Sequence, residues 1–142
     1  MRTVAFAGLA LVAAIMASAP AGYASDTQTV LSTGKTIMGE TVVYPDGPAK
    51  VTATIVTMAP GEVGGLHTHG IPLLGYVLDG VLTVDYGDKG KRVYRAGDAV
   101  METISVPHRG INTGNTPMRV LVVYMGADGK TLSTSVPANG EK

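Results

Sequence analysis

A chain of 142 residues with 11 Lys+Arg, 11 Asp+Glu and three histidines has no formal net charge, and it contains no cysteine. That balance offers no basic face for a phosphate backbone, so nucleic acid is not an expected partner. Without thiols, disulfides, iron–sulfur clusters and thiolate zinc sites are excluded, and any metal must be held by nitrogen and oxygen.

In chain order, Met1-Arg2-Thr3 is a short positive start, Val4 to Ala17 is apolar, and small residues through Ala24 precede polar Ser25-Asp26-Thr27-Gln28. This is the layout of a secretory signal peptide, with an apolar run too short for a comfortable membrane span. Cleavage is expected after Ala24, with Ala21 as the alternative. The expectation is therefore a periplasmic or secreted protein, with residues 1–24 as signal, residues 25–142 as one domain, and no membrane contact after cleavage. Removing 24 of the 142 residues leaves 118, a length that suits a single domain.

Thr27 to Ser32 and Thr36 to Tyr44 are runs rich in Thr, Val and Ile, followed by a proline- and glycine-bearing turn at Tyr44 to Pro48. Lys50 to Met58 reads as a strand that ends at Ala59-Pro60-Gly61. Next comes Gly61-Glu-Val-Gly-Gly-Leu-His67-Thr-His69, which holds two of the three histidines. On an extended strand both imidazoles leave the same face, because side chains alternate with period two. Two such groups need one partner from another strand to enclose a cation, and neutral imidazole is the commonest protein metal ligand.

Beyond this stretch, Leu73 to Asp79 and Val81 to Tyr86 read as strands around Gly80, and Gly87 to Gly90 as a hairpin loop leading to Lys91–Tyr94. Ala99 to Ile104 and His108 to Asn112 flank a turn at Val106-Pro107. Met118 to Met125 contains an unbroken Val120–Tyr124 run, expected to be buried on both faces and able to serve a homodimer interface. The tail from Ala127 is polar and is expected to fray in part. Short β-branched runs separated by Gly and Pro, with no sustained helical period beyond the signal, make this an all-β domain.

At this point the chain resembles the cupin superfamily. Gly61, His67, His69 and Gly80 fall at the spacing of that family's first motif, and Gly97, His108 and Asn112 at the spacing of its second. The resemblance implies a double-stranded β-helix, the cupin jelly-roll barrel, with one divalent transition metal (Fe, Zn, Cu, Ni or Mn) held by His67, His69 and His108. It does not imply one reaction. The chain departs from the motifs at Leu73, where the family has glutamate, and at Thr103 and Ser105, where it has proline and glycine. Leucine in place of a carboxylate leaves the site one negative charge poorer and adds an apolar wall, which favours an oxygenated or anionic ligand at the open positions. Alternatively Leu73 only fills space beside a four-coordinate ion.

Candidate proton acceptors are few. Glu102, in the apolar setting Ala99 to Ile104, is the candidate catalytic residue if it points inward, as a further ligand, a general base or a partner that orients a histidine. If it points outward it is a surface acid. Glu62 is expected to be solvated, Tyr76 to lie off the ligand parity, and Asp98 and Asn112 to organise turns. Arg109 is expected in solvent, although it could attract an anion at the barrel mouth. Met38, Met58, Met101, Met118 and Met125 are scattered over separate segments, which suits core packing better than copper binding. The function expected is an extracytoplasmic metalloenzyme of dioxygenase, isomerase or hydrolase type acting on a small molecule. The alternatives are a non-catalytic metal or small-molecule binding module and a degenerate scaffold.

Overall fold

The computed structural model describes residues 25–137, so the segment read as a signal peptide lies outside it. In chain order the strands are β1 (Ala49–Met58), β2 (His67–Thr68), β3 (Leu73–Asp79), β4 (Val81–Asp85), β5 (Lys91–Arg95), β6 (Ala99–Met101), β7 (Arg109–Asn112), β8 (Met118–Ala127) and β9 (Thr134–Ser135). A single 3-10 turn, Gly87–Lys89, joins β4 to β5. Four strands pair antiparallel in the order β1-β8-β3-β6, facing a sheet in the order β5-β4-β7. The second sheet is extended by bridges from Val63 to Ile111 and from His67 to His108, and β9 pairs onto β2. The result is the all-β domain that the strand pattern implied, in the jelly-roll barrel form that the resemblance to cupins implied.

Period two explains which side chains fill it. Leu73 and Val77 from β3, Met118, Val120 and Val122 from β8, and Leu82, Val84 and the following Tyr86 form one buried cluster. Met118 is wholly buried, and removing a side chain of that size from water contributes about 2 kcal/mol. Gly80 turns β3 into β4 with φ +77°, and a Cβ there would lie 2.9 Å from the Met118 Cα. Both the left-handed backbone and that close approach require glycine.

The runs Thr27–Ser32 and Thr36–Tyr44, despite their β-branched composition, form no strand; Thr41 bridges Lys35, and the Ile37 N–H donates to the Met101 carbonyl at 2.8 Å. Several expectations need correction. The Val120–Tyr124 run is not buried on both faces. Val120 and Val122 are buried, whereas Leu121 and Val123 lie half-buried on the outer face, which carries Val51 and Ile55 of β1 at 67% and 56% exposure. β8 is central in its sheet, but no second layer covers that outer side among the described residues. Of the tail, expected to fray in part, residues through Pro137 are placed, with β9 laid against His67 and Thr68, and residues 138–142 lie outside the described residues. Strand β6 stops at Met101, so Glu102 begins the loop that leads to His108.

Candidate metal centre

His67 lies in β2 and His69 two residues on, while His108 stands at the start of β7. A reciprocal pair of backbone hydrogen bonds, His67 N to His108 O and His108 N to His67 O, both 2.9 Å, brings the two chain segments together. The three ring centroids are 4.5, 4.9 and 5.1 Å apart. One ligand nitrogen from each lies within 4.8 Å of the other two. The scaffold thus joins the three histidines that sequence spacing singled out.

Each ring is oriented by its other nitrogen. Nδ1 of His67 donates to the Gly65 carbonyl at 2.9 Å and Nδ1 of His108 to the Val106 carbonyl at 2.9 Å. Nδ1 of His69 faces both the Leu132 carbonyl and the Ser133 hydroxyl at 3.0 Å. A neutral imidazole that donates from Nδ1 keeps its lone pair on Nε2, which is the form a metal ligand needs. Burial favours that neutral form: it pushes His69 down to about 4, helped by the neighbouring His108 and His67, and it lowers His108 as well. His69 and His108 are 6% and 2% exposed.

The histidines open into a barrel cavity of about 410 Å³. Leu73 lines it, at the place where a carboxylate would project from β3. Next to Leu73 stands Glu102, whose backbone N–H donates to the Leu73 carbonyl at 2.9 Å. Glu102 points inward: it is 6% exposed and lines the same cavity. Its Oε1 accepts from the Tyr86 hydroxyl at 2.8 Å and from the Thr103 N–H at 2.9 Å. Burial and the Glu102 charge raise the Tyr86 phenol well above its ordinary range, so it stays a donor. The Tyr86 ring also lies 5.7 Å from the His108 ring, and Tyr124 meets His69 edge-on at 5.9 Å.

A second cluster holds the loop that presents His108. The Glu40 carboxylate accepts from the hydroxyls of Thr36, Thr103 and Ser105 and from the backbone N–H groups of Ile104 and Ser105. Burial works against its charge, yet these donors outweigh it and hold Glu40 at about 2. Thr103 and Ser105, the positions that depart from the second motif, are therefore among the donors of this clasp, with Thr36 and Ile104.

The remaining candidates fall where expected or prove structural. Asp98 accepts from the Arg95 N–H at 2.7 Å, and Asn112 bonds Met58 O, Thr116 O and Gly114 N. Glu62 is exposed and accepts from Ala59 N–H. Tyr76 pairs with Ala99 and Leu121 on the outer face, and exposed Arg109 pairs with Asp85 at 3.5 Å. Met58 and Met118 are core residues, with Met38 packed against them. Sequence reasoning missed Tyr86 and Tyr124, although parity with Leu82–Val84 and with Val120–Val122 pointed to both. It also missed Glu40, Leu132 and Ser133, which had no local signal.

No curated protein matches the chain in sequence. Among solved structures, an oxalate decarboxylase–formate complex from Lactobacillus farciminis aligns with TM-score 0.53 and 24% identity over 61% of this chain. The match spans 26% of that chain, about a quarter of its length. The polyketide cyclase RemF from Streptomyces resistomycificus aligns with TM-score 0.55 and 22% identity over 70% of both chains. An oxalate oxidase in complex with the substrate analogue glycolate aligns with TM-score 0.51 and 27% identity, over 61% of this chain and 46% of the other. These likenesses place the fold. The cupin domain profile matches residues 54–124, half of the sequence, and that span contains all three histidines. The chain belongs to the cupin domain family.

Proposed function

We propose that this cupin binds one divalent transition ion through His67, His69 and His108 and acts as a metalloenzyme on a small oxygenated molecule. The observation that carries the reading is the set of Nδ1–H to carbonyl bonds, which leaves three Nε2 lone pairs beside a cavity that also contains a carboxylate. A donor set of three imidazoles suits Fe, Zn, Cu or Ni better than Mg or Ca, and Mn would draw on an oxygen donor such as Glu102 as well. Such an ion, when bound, supplies Lewis acidity toward an oxygen donor. The chain's own residues do the rest. Glu102 accepts a proton from the ligand, Tyr86 and Thr103 hold its Oε1 in place, and Leu73 and Leu82 keep water from the apolar side.

The same reading extends to setting and assembly. The apolar run through Ala17 and the small residues to Ala24 support export to the periplasm or beyond. The exposed Val51 and Ile55 on the outer sheet face support a homodimer.

Elemental analysis of the purified chain tests the metal reading. One equivalent of a transition metal is expected in the wild type and none in His67→Ala. Oxygen uptake and product formation, assayed across keto acids, β-diketones and flavonols, separate enzyme from binder. Ligand binding without product in the fully loaded protein favours the non-catalytic binding module, a reading supported by the single carboxylate in the cavity.

A further inference from the structure

Resting on the metal-site reading, we infer that the cavity takes a molecule with one oxygen-donor head, neutral or singly negative, on an apolar body, and disfavours small dianions. No lysine or arginine lines the cavity among the described residues, and the one carboxylate there is Glu102, with Tyr124 as a neutral phenol. A divalent ion, three neutral imidazoles and the Glu102 carboxylate together carry a single positive charge. A monoanion brings that to neutrality. A dianion leaves a surplus negative charge in an apolar enclosure, where an uncompensated charge is costly. The neutral donors Ser133 and Ser135 line the cavity but cannot offset a full charge.

Shape agrees with charge. Leu82, Val100, Met118 and Val122 line the space with Leu73, so the walls away from the histidines are apolar. Two inward-facing glycines keep it open: a Cβ on Gly75 would lie 3.3 Å from Val100, and one on Gly110 would lie 3.2 Å from Leu82. The volume of about 410 Å³ lies within the range of ligand pockets. Oxalate would leave most of that volume unfilled, and its second carboxylate would meet leucine and valine. The cavity therefore differs in preference from what the names of its oxalate-acting structural neighbours would suggest.

Co(II) loading of the purified chain provides the test, with benzoylacetone and oxalate as probes. Binding is followed by the cobalt visible spectrum and calorimetry, and protein-bound cobalt is counted after gel filtration. Benzoylacetone is expected to bind at least about tenfold more tightly than oxalate. Oxalate binding equally or more tightly, with cobalt retained, overturns the inference and leaves the metal reading intact. Failure to bind cobalt overturns the metal reading, and the inference falls with it. In a second variant, Val56→Lys, a cation is placed at a cavity-lining position that is 40% exposed and so tolerant of substitution. This variant should narrow the preference for benzoylacetone, and an unchanged ratio overturns the charge argument.

Discussion

The irregular arm before β1 and the irregular tail after β8 both reach the metal centre, by different means. The arm sends one charged group, Glu40, into four hydrogen bonds with residues 103–105, and so fixes the loop that presents His108. The tail sends no charge. It offers the Leu132 carbonyl and the Ser133 hydroxyl to His69, and pairs two residues of β9 with β2. Charge-assisted bonds converging on one carboxylate make a strong joint, whereas a short exposed strand with neutral partners makes a weak one. Of the two, the arm therefore contributes more to stability, while the tail acts on the orientation of one ligand.

Breaking the arm should have the largest effect. Glu40→Ala leaves donors from Thr36, Thr103, Ile104 and Ser105 without their acceptor, and it is expected to lower unfolding stability by about 3 kcal/mol in urea titration. Because Glu40 is only half-buried, solvent screening holds the loss near that figure rather than at the sum of five separate bonds. Removing the tail after Lys130 should act differently. Metal affinity should fall by about tenfold to a hundredfold, the usual effect of losing the partner of a ligating histidine. The metal-free protein should lose less than about 1 kcal/mol, since among the described residues the segment contributes a two-residue ladder, the Val136 N–H bond to Leu66, the bonds to His69 and two half-buried side chains. Metal titration by calorimetry, set against urea midpoints of the apo forms, separates the two results.

Acid sharpens the contrast without mutation. Glu40 is depressed from 4.5 to about 2, so its stabilisation is complete above the unfolded value and is lost only as pH falls through about 2. His69 is depressed from 6.5 to about 4, so the folded state resists protonation there. The unfolded chain takes up that proton first, and in the metal-free protein stability should decline as pH falls from 6.5 toward 4. Urea midpoints measured across this range should show an early loss that His69→Gln reduces, the remainder belonging to the similarly lowered His108, and a later one that Glu40→Gln removes. The smallest effect is expected from Ser133→Ala, about a threefold loss of metal affinity, because the Leu132 carbonyl remains as a partner for Nδ1.

Much of this was legible in the sequence. Short alternating runs led to the all-β class, because period two and turn chemistry are local properties, while the barrel and the three-histidine set followed from the resemblance carried by Gly61, His67, His69, Gly80, Gly97, His108 and Asn112. Glu102 could be named but not oriented: its direction depends on where β6 stops, and that is set by Tyr86 and Thr103 closing on its Oε1. The arm misled, since Thr36 to Tyr44 has strand-forming composition but spends its hydrogen bonds on Glu40 and on the loop beyond β6 rather than on a ladder. The tail was only partly legible: a polar, glycine-bearing segment reads as loose, yet through Pro137 it is held by the β9–β2 pairing and by its contact with His69, 63 residues from Leu132 in sequence.

The carbonyl partners of the three imidazoles also bear on how quickly the site fills. Since Gly65, Val106 and Leu132 already fix the rings, the rotamer freedom that a chelating site usually surrenders on binding has been lost during folding. Capture of an ion then needs little rearrangement beyond shedding water. The apo and loaded barrels should superimpose, uptake should be limited by desolvation of the ion, and the choice among similar ions falls to whatever the compartment supplies.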